Sequence, residues 1–284
     1  MPSYLGAIGT ANPVHRISQP QIAEFMARAL GFGEPDARKL RALYRVSGIA
    51  QRYSVLPDYG RAMGDYTFFP NTANLEPFPS VGQRMAVYRR EALPLATDAV
   101  RACLRQVPDV APASITHLVT VSCTGMYAPG LDIELVQALG LRPDVRRTCV
   151  NFMGCYAAVN ALKLADAFCR ADAGVRVLIV SVELCTLHFQ KSPEEDHLVS
   201  NALFGDGAAA QRVRPALQRL ANQFGVGLDA VAVAWLLAHP AGIVPVLGTN
   251  DLGRLQALGD AFKVQIDRET WFELATLAAG AEVP

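Results

Sequence analysis

The sequence predicts an α/β protein with a largely buried sheet, and three observations carry that expectation. Apolar runs of strand length, ITHLVTVSC, RRTCVNFM and VRVLIVSVEL, alternate with segments whose apolar residues recur every three or four positions. The central runs are near-continuously apolar, which marks strands covered on both faces. With 284 residues, 51% of them hydrophobic and 18% charged, the chain has ample material for a core.

YLGAIGTANP opens the chain as a short strand and a Gly/Pro turn, and SQPQIAEFMARALG follows as a helix with Ser18 as N-cap. Residues 36–47 read as a second helix, and 53–81, rich in Pro, Gly, Asn and aromatics, as a long loop. Met85, Tyr88, Ala92, Leu95, Ala99 and Cys103 mark a long amphipathic helix. Beyond the strand ITHLVTVSC come a loop (TGMYAPG), a helix (DIELVQALG), the strand RRTCVNFM, a helix from Cys155 to about Arg170, and the strand VRVLIVSVEL. GDGAAAQRV supplies a last short strand near residue 213. The character then changes to helix after helix, RPALQRLANQFG and DAVAVAWLLAH. A strand IVPVLG, a turn TND, a helix around GRLQALGDAF and an Asp267-capped helix DRETWFELATLAAG follow.

Lys and Arg number 26 against 26 Asp and Glu, and no basic cluster stands out, which argues against nucleic acid and against an anionic membrane surface. MPSYLGAIGTANP has neither a basic leader nor a sustained apolar run, so a cytoplasmic location is expected. The apolar region ending at IVPVLG is broken by His239 and Pro240, short of the roughly 20 residues a membrane helix needs. Six cysteines lie scattered without CxxC spacing, so neither a metal site nor a disulfide framework is expected.

Cys155 stands where the strand RTCVNFM runs through Gly154 into a helix. Unpaired N–H groups at a helix N-terminus stabilise a thiolate, and glycine permits the sharp turn. Free cysteine is also among the most buried residue types. Local pattern alone therefore leaves nucleophile and core residue both open.

The stretches GTANP, RMAVYRREA, VSCTGMYAPGLD, NFMGCYAAVNALKLA, VLIVSVELCTLHF and NALFGDGAAA, in this order, resemble the N-terminal half of type III polyketide synthases over about residues 1–213. These chalcone-synthase-like enzymes have the thiolase fold, a layered α/β architecture. The resemblance implies that Cys155 takes an acyl group from an acyl-CoA as a thioester. Malonyl-CoA is then decarboxylated and its carbanion extends the chain, one hard condensation split into two easier steps. It also implies a homodimer formed through this half, Phe189 at the mouth between CoA tunnel and cavity, Cys123 and Thr124 as cavity-lining residues, and Arg52 near the CoA phosphates. For each of these, core packing or a solvated surface is the structural alternative. GDGAAA is a Gly-rich turn that the family uses to support the active-site floor, with no nucleotide involved. The family's catalytic His and Asn come from its other half. No segment after Val213 resembles it, so acyl loading is expected and condensation is not. His188 and His197 fall near the Phe189 loop, within reach of the site, but surface or packing roles are the favoured reading.

AWLLAHPAGIVPVLGT and the arginine that follows it resemble instead the C-terminal end of an aldo/keto reductase, over about residues 214–284. That family is a (β/α)8 barrel, and the resemblance places Gly248, Thr249, Asn250 and Arg254 on positions that grip the 2′-phosphate side of NADPH. A helix cap and a surface arginine are the plainer reading. A barrel takes about 250 residues and eight strands, and this tail offers one strand, so a mostly helical fragment is expected. Three functions are therefore in play: an acyltransferase of the polyketide synthase type with no cofactor requirement, an NADPH-dependent reductase fragment, and a non-catalytic fusion product acting by association. The first is favoured.

Overall fold

The computed structural model describes residues 7–108, 110–171, 175–209, 220–221, 223–238 and 252–279. The first strand, β1 (Thr10–Ala11), leads to β2 (His15–Ser18) and helix α1 (Gln19–Ala29). Ser18 forms a reciprocal capping box with Gln21 there, which satisfies two backbone donors at the helix start. Helix α2 (Glu34–Val46) follows, and β3 (Gln51–Ser54) pairs antiparallel with β2, Ser18 opposite Gln51. The segment read as a long loop contains only a short 3-10 turn at Pro57–Gly60. Its ordering comes from Asp58, fully buried, which accepts hydrogen bonds from the backbone of Thr67, Phe68 and Phe69.

The main sheet runs in the order β1, β7 (Asp206–Ala209), β6 (Val177–Leu184), β4 (His117–Ser122), β5 (Arg146–Asn151). β4 pairs in parallel with both β5 and β6, whereas β7 is antiparallel to β6 and β1 to β7. The chain steps from β4 through α4 (Leu131–Leu139) outward to β5, then back across β4 through α5 (Ala157–Ala171) to β6. Right-handed crossovers that step in opposite directions must lie on opposite faces of the sheet. The cores agree. Leu118, Val180 and Val182 pack with α4 and with α3 (Val81–Leu104), while Val119, Val121 and Val150 pack with Ala157 and Ala161 of α5. All six residues of β4 are buried, as expected for a strand covered on both faces.

Helix α6 (Glu195–Leu203) precedes β7. The described residues after β7 are helical: α7 (Leu228–Leu237), α8 (Leu252–Leu258), a 3-10 turn and α9 (Arg268–Ala279). They form their own small core around Leu220, Val231, Ala234, Ala261 and Leu274. Trp235 and Trp271 stack with centroids 5.5 Å apart, and each indole N–H donates to the other residue's backbone carbonyl. Asp267 caps α9 by accepting from the Thr270 N–H at 2.7 Å, as its position in the sequence predicts. The strand expected at IVPVLG lies outside the described residues. Among the described residues no helix is long and apolar enough to cross a membrane.

One close approach ties α3 to the end of β4. The Tyr88 hydroxyl bonds the Ser122 hydroxyl at 2.7 Å, and a Cβ on Gly125 would sit 2.1 Å from the Tyr88 ring. Gly125→Ala must displace that buried ring, and it is expected to cost about 1–3 kcal/mol in urea unfolding. An unchanged unfolding midpoint would show that the ring is not fixed there.

Candidate active site

Parallel strands deliver their C-terminal ends to one edge of a sheet, where α/β proteins place their sites. Here β4 ends in Cys123 and Thr124, β5 in the turn to Cys155, and β6 in Glu183. A cavity of about 410 Å³ opens at that edge, and Cys123, Thr124, Cys155, Glu183, His188 and Phe189 all line it. The five residues singled out for the synthase half, Arg52 included, thus line one cavity, and Glu183 and His188 join them.

The turn that presents Cys155 is bent by two left-handed residues, Phe152 at φ 57° and Gly154 at φ 63°. A left-handed phenylalanine carries backbone strain, of order 1–2 kcal/mol, and such outliers cluster at functional sites. The Phe152 N–H donates to the Ser122 carbonyl, and the Gly154 N–H donates to Cys123 Sγ at 3.1 Å, so β4 holds the turn in place. The expected helix start at Cys155 is corrected by two residues. Cys155 lies in a 3-10 turn, Gly154–Tyr156, and α5 proper begins at Ala157. The tighter turn leaves the Cys155 residue exposed, whereas Ala157 beneath it is fully buried.

Surroundings separate the cysteines that line the cavity. Burial, helped by the charges of Glu183 and Asp206, pushes the Cys185 thiol up to about 12, so it stays protonated at neutral pH. Cys123 is half-buried, with its sulfur already engaged by Gly154. Cys155 is exposed at the turn. None of the six cysteines is in a disulfide.

Glu183 clamps β4 to β6: it accepts the Cys123 N–H at 2.9 Å and the Thr124 hydroxyl at 2.6 Å, and Thr124 in turn accepts the Leu184 N–H. Burial raises its carboxyl pKa, a rise those hydrogen bonds only partly offset. Phe189 is 4% exposed and packs edge-on against Phe69 and Phe78, so it belongs to the cavity's inner wall. The exposed phenylalanine on the cavity is Phe204, at 48%. Arg52 is an interior strut: 8% exposed, it donates to the Gln19 side chain and to the Phe204 carbonyl. His188 lines the cavity, and His197 in α6 lies 3.6 Å from Glu194, the residue that precedes that helix.

Gly248, Thr249 and Asn250 lie outside the described residues, as does the side chain of Arg254 on α8, so no NADPH contact is described.

Comparison with known proteins decides the family. The model for chalcone and stilbene synthases, N-terminal domain, matches residues 2–215. The chain belongs to that family. Over 209 residues its segments are 33% identical to the α-pyrone synthesis polyketide synthase-like Pks18 of Mycobacterium tuberculosis, a match covering 73% of this chain and 50% of that protein. They are 32% identical to 1,3,6,8-tetrahydroxynaphthalene synthase of Streptomyces peucetius, covering 72% and 51%. The type III polyketide synthase domain of Steely1 from Dictyostelium superposes with a TM-score of 0.67 at 26% identity, covering 75% of this chain and 58% of that one. The chain thus spans about half the length of the curated synthases it matches. The aldo/keto reductase family model matches residues 168–279, and 68 residues are 62% identical to 6-dehydroglucose reductase of Agrobacterium fabrum, 24% of this chain and 23% of that enzyme. The two family matches overlap between 168 and 215. β6 and β7, which fall in that overlap, belong to the five-stranded sheet.

Asp206 is among the residues that sequence reasoning missed. It is 6% exposed, and accepts from the Val55 N–H and from the N–H and hydroxyl of Thr186. Burial outweighs those bonds and the nearby Arg52, raising its carboxyl to about 6 from 3.8. A raised carboxyl pKa means that the folded state binds the proton more tightly than the unfolded one, so Asp206 makes the fold less stable as pH rises through that window. Its share of unfolding free energy is expected to grow by about 1 kcal/mol from pH 7 to pH 5, and Asp206→Asn should remove that slope. Denaturant titrations at the two pH values check it; equal slopes in both proteins would contradict it.

Proposed function

We propose that the synthase half is an acyl acceptor that takes acyl groups from acyl-CoA onto Cys155. The observation that carries this reading is the placement of an exposed thiol, on a strained turn fixed by β4, at the mouth of an apolar-walled cavity in a chain of this family. In the step, Cys155 Sγ attacks the thioester carbonyl, a new C–S bond forms, and the CoA thiolate leaves with a proton. Exchange of one thioester for another is nearly isoenergetic, so positioning does most of what catalysis requires.

Malonyl-CoA condensation is the activity the family's whole enzymes imply. It needs donors placed where the enolate charge develops. The segment after residue 215 matches a reductase, and the residues around Cys155 support loading more directly than extension. Two copies of the chain are expected to associate through the synthase half. β5 is an edge strand with Arg146, Arg147, Cys149 and Asn151 exposed, and an unpaired edge favours pairing. The substrates proposed are small molecules carried on CoA, with no nucleic acid or membrane partner and a cytoplasmic site of action.

The test is incubation with a short acyl-CoA followed by intact-mass measurement. The expected result is one acyl adduct on the wild type and none on Cys155→Ser under the same exposure. No adduct on the wild type, or an equal one on the variant, rejects the reading.

A further inference from the structure

We infer that Cys123 and Cys155 form an oxidative modification site, in which hydrogen peroxide oxidises the Cys155 thiol and Cys123 traps it as a disulfide. The consequence for acyl transfer, a reversible closing of the loading site, rests on the loading reading above; the cross-link itself does not. Both cysteines line the same cavity, Cys123 just after β4 and Cys155 on the turn after β5. Neither is in a disulfide, and Cys155 is exposed.

Contacts with a single residue, Gly154, bring the two side chains together. Cys123 Sγ accepts the Gly154 N–H at 3.1 Å and lies 3.8 Å from the Gly154 carbonyl oxygen, toward which its S–H is a weak donor. Cys155 is the next residue. A carbonyl oxygen and the following Cα lie about 2.8 Å apart across a trans peptide, so Cys123 Sγ is within about 6.6 Å of the Cys155 Cα. A cysteine sulfur sits about 2.8 Å from its own Cα, so with Cys155 turned toward Cys123 a shift of at most about 2 Å in the turn reaches the S–S bond length. The turn has room for it: Gly154 stands at φ 63°, and a Cβ placed on it meets nothing within 4 Å.

The other cysteines are set apart from this pair. Cys185 also lines the cavity, but burial pushes its thiol up to about 12, and the protonated form is a poor attacker. Cys149, the other exposed cysteine, is not among the residues that line the cavity. The chemistry balances with peroxide as the only oxidant. Cys155 Sγ attacks the O–O bond and becomes a sulfenic acid, and the departing hydroxide takes up the thiol proton as water. Cys123 Sγ then attacks the sulfenic sulfur, the S–S bond forms, and the hydroxyl leaves with the Cys123 proton as a second water. Two thiols are oxidised and one peroxide bond is reduced. A sulfenic acid with no thiol beside it advances instead to the sulfinic acid, which dithiols do not reverse. Cys123 therefore protects the nucleophile as well as switching it off, and a dithiol restores both thiols.

The test exposes the whole chain, without acyl-CoA, to hydrogen peroxide and follows it by intact mass and by tandem mass spectrometry of a non-reducing digest. The wild type should lose two hydrogens, carry a Cys123–Cys155 link, and return to its starting mass in dithiothreitol. Cys123→Ala should instead gain two oxygens on Cys155, a change that dithiothreitol leaves in place. A wild type whose Cys155 gains oxygens as fast as the variant's, or links to Cys149 or Cys185, overturns the assignment. If the variant melts below the wild type, the wild-type digest decides alone: the Cys123–Cys155 link sustains the inference and its absence overturns it. A chain that forms the link yet loads no acyl group from acyl-CoA rejects the loading reading and leaves this one standing. A chain that loads and does not link does the reverse.

Discussion

The central strand β4 is the constraint on which the rest depends. Buried on all six residues, it pairs in parallel on both sides, and the two crossovers that reach its neighbours are thereby sent to opposite faces. Three C-terminal strand ends then converge, and each brings one part of the site: Cys123 and Thr124 from β4, the Cys155 turn from β5, Glu183 from β6. The hydrogen bonds that hold the site are bonds between those ends. Glu183 joins β6 to β4, and Ser122 and Cys123 hold the backbone of Phe152 and Gly154. Distorting β4 would move every group at once.

Much of this was legible in the sequence because its signals are local. The Ser18 and Asp267 caps, the long α3 periodicity and the apolar strands each follow from residues a few positions apart. The glycine and cysteine between strand and helix are also a local pattern, but that pattern left Cys155 open between nucleophile and core residue, and the resemblance of the neighbouring motifs is what singled it out. What failed to show is what only tertiary contact decides. Nothing near His188 says that a carbonyl 64 positions away will orient its ring. The sequence around Phe189 and Phe204 gives two phenylalanines in similar apolar company; packing against Phe69 and Phe78 buries the first and leaves the second open. Two signals were available and unused: a glutamate ending the apolar strand VSVEL, and the aspartate within GDGA, both charges the fold must bury and satisfy.

The chain joins pieces of two enzymes, and the physical consequences differ at each side of the join. On the synthase side, apolar side chains are exposed beside the cavity, Phe152 at 60% and Met153 at 51% before Cys155, Leu203 at 46% and Phe204 at 48% after α6. Relatives in this family are about twice as long as the matched segment, and a face of this kind is what one half of a larger packed body leaves open. On the reductase side, the described helices close a small core of their own through the Trp235–Trp271 stack and its reciprocal hydrogen bonds. Among the described residues the core of the main sheet and the core of the tail share no side chain.

The central claim is that this sheet edge makes Cys155, among six cysteines, the one that carries an acyl group. The most direct measurement is tandem mass spectrometry of peptides from protein incubated with an acyl-CoA. The account predicts the acyl group on the peptide containing Cys155 and on no other. A label found on Cys149, the other exposed cysteine, or spread over several cysteines, would contradict it.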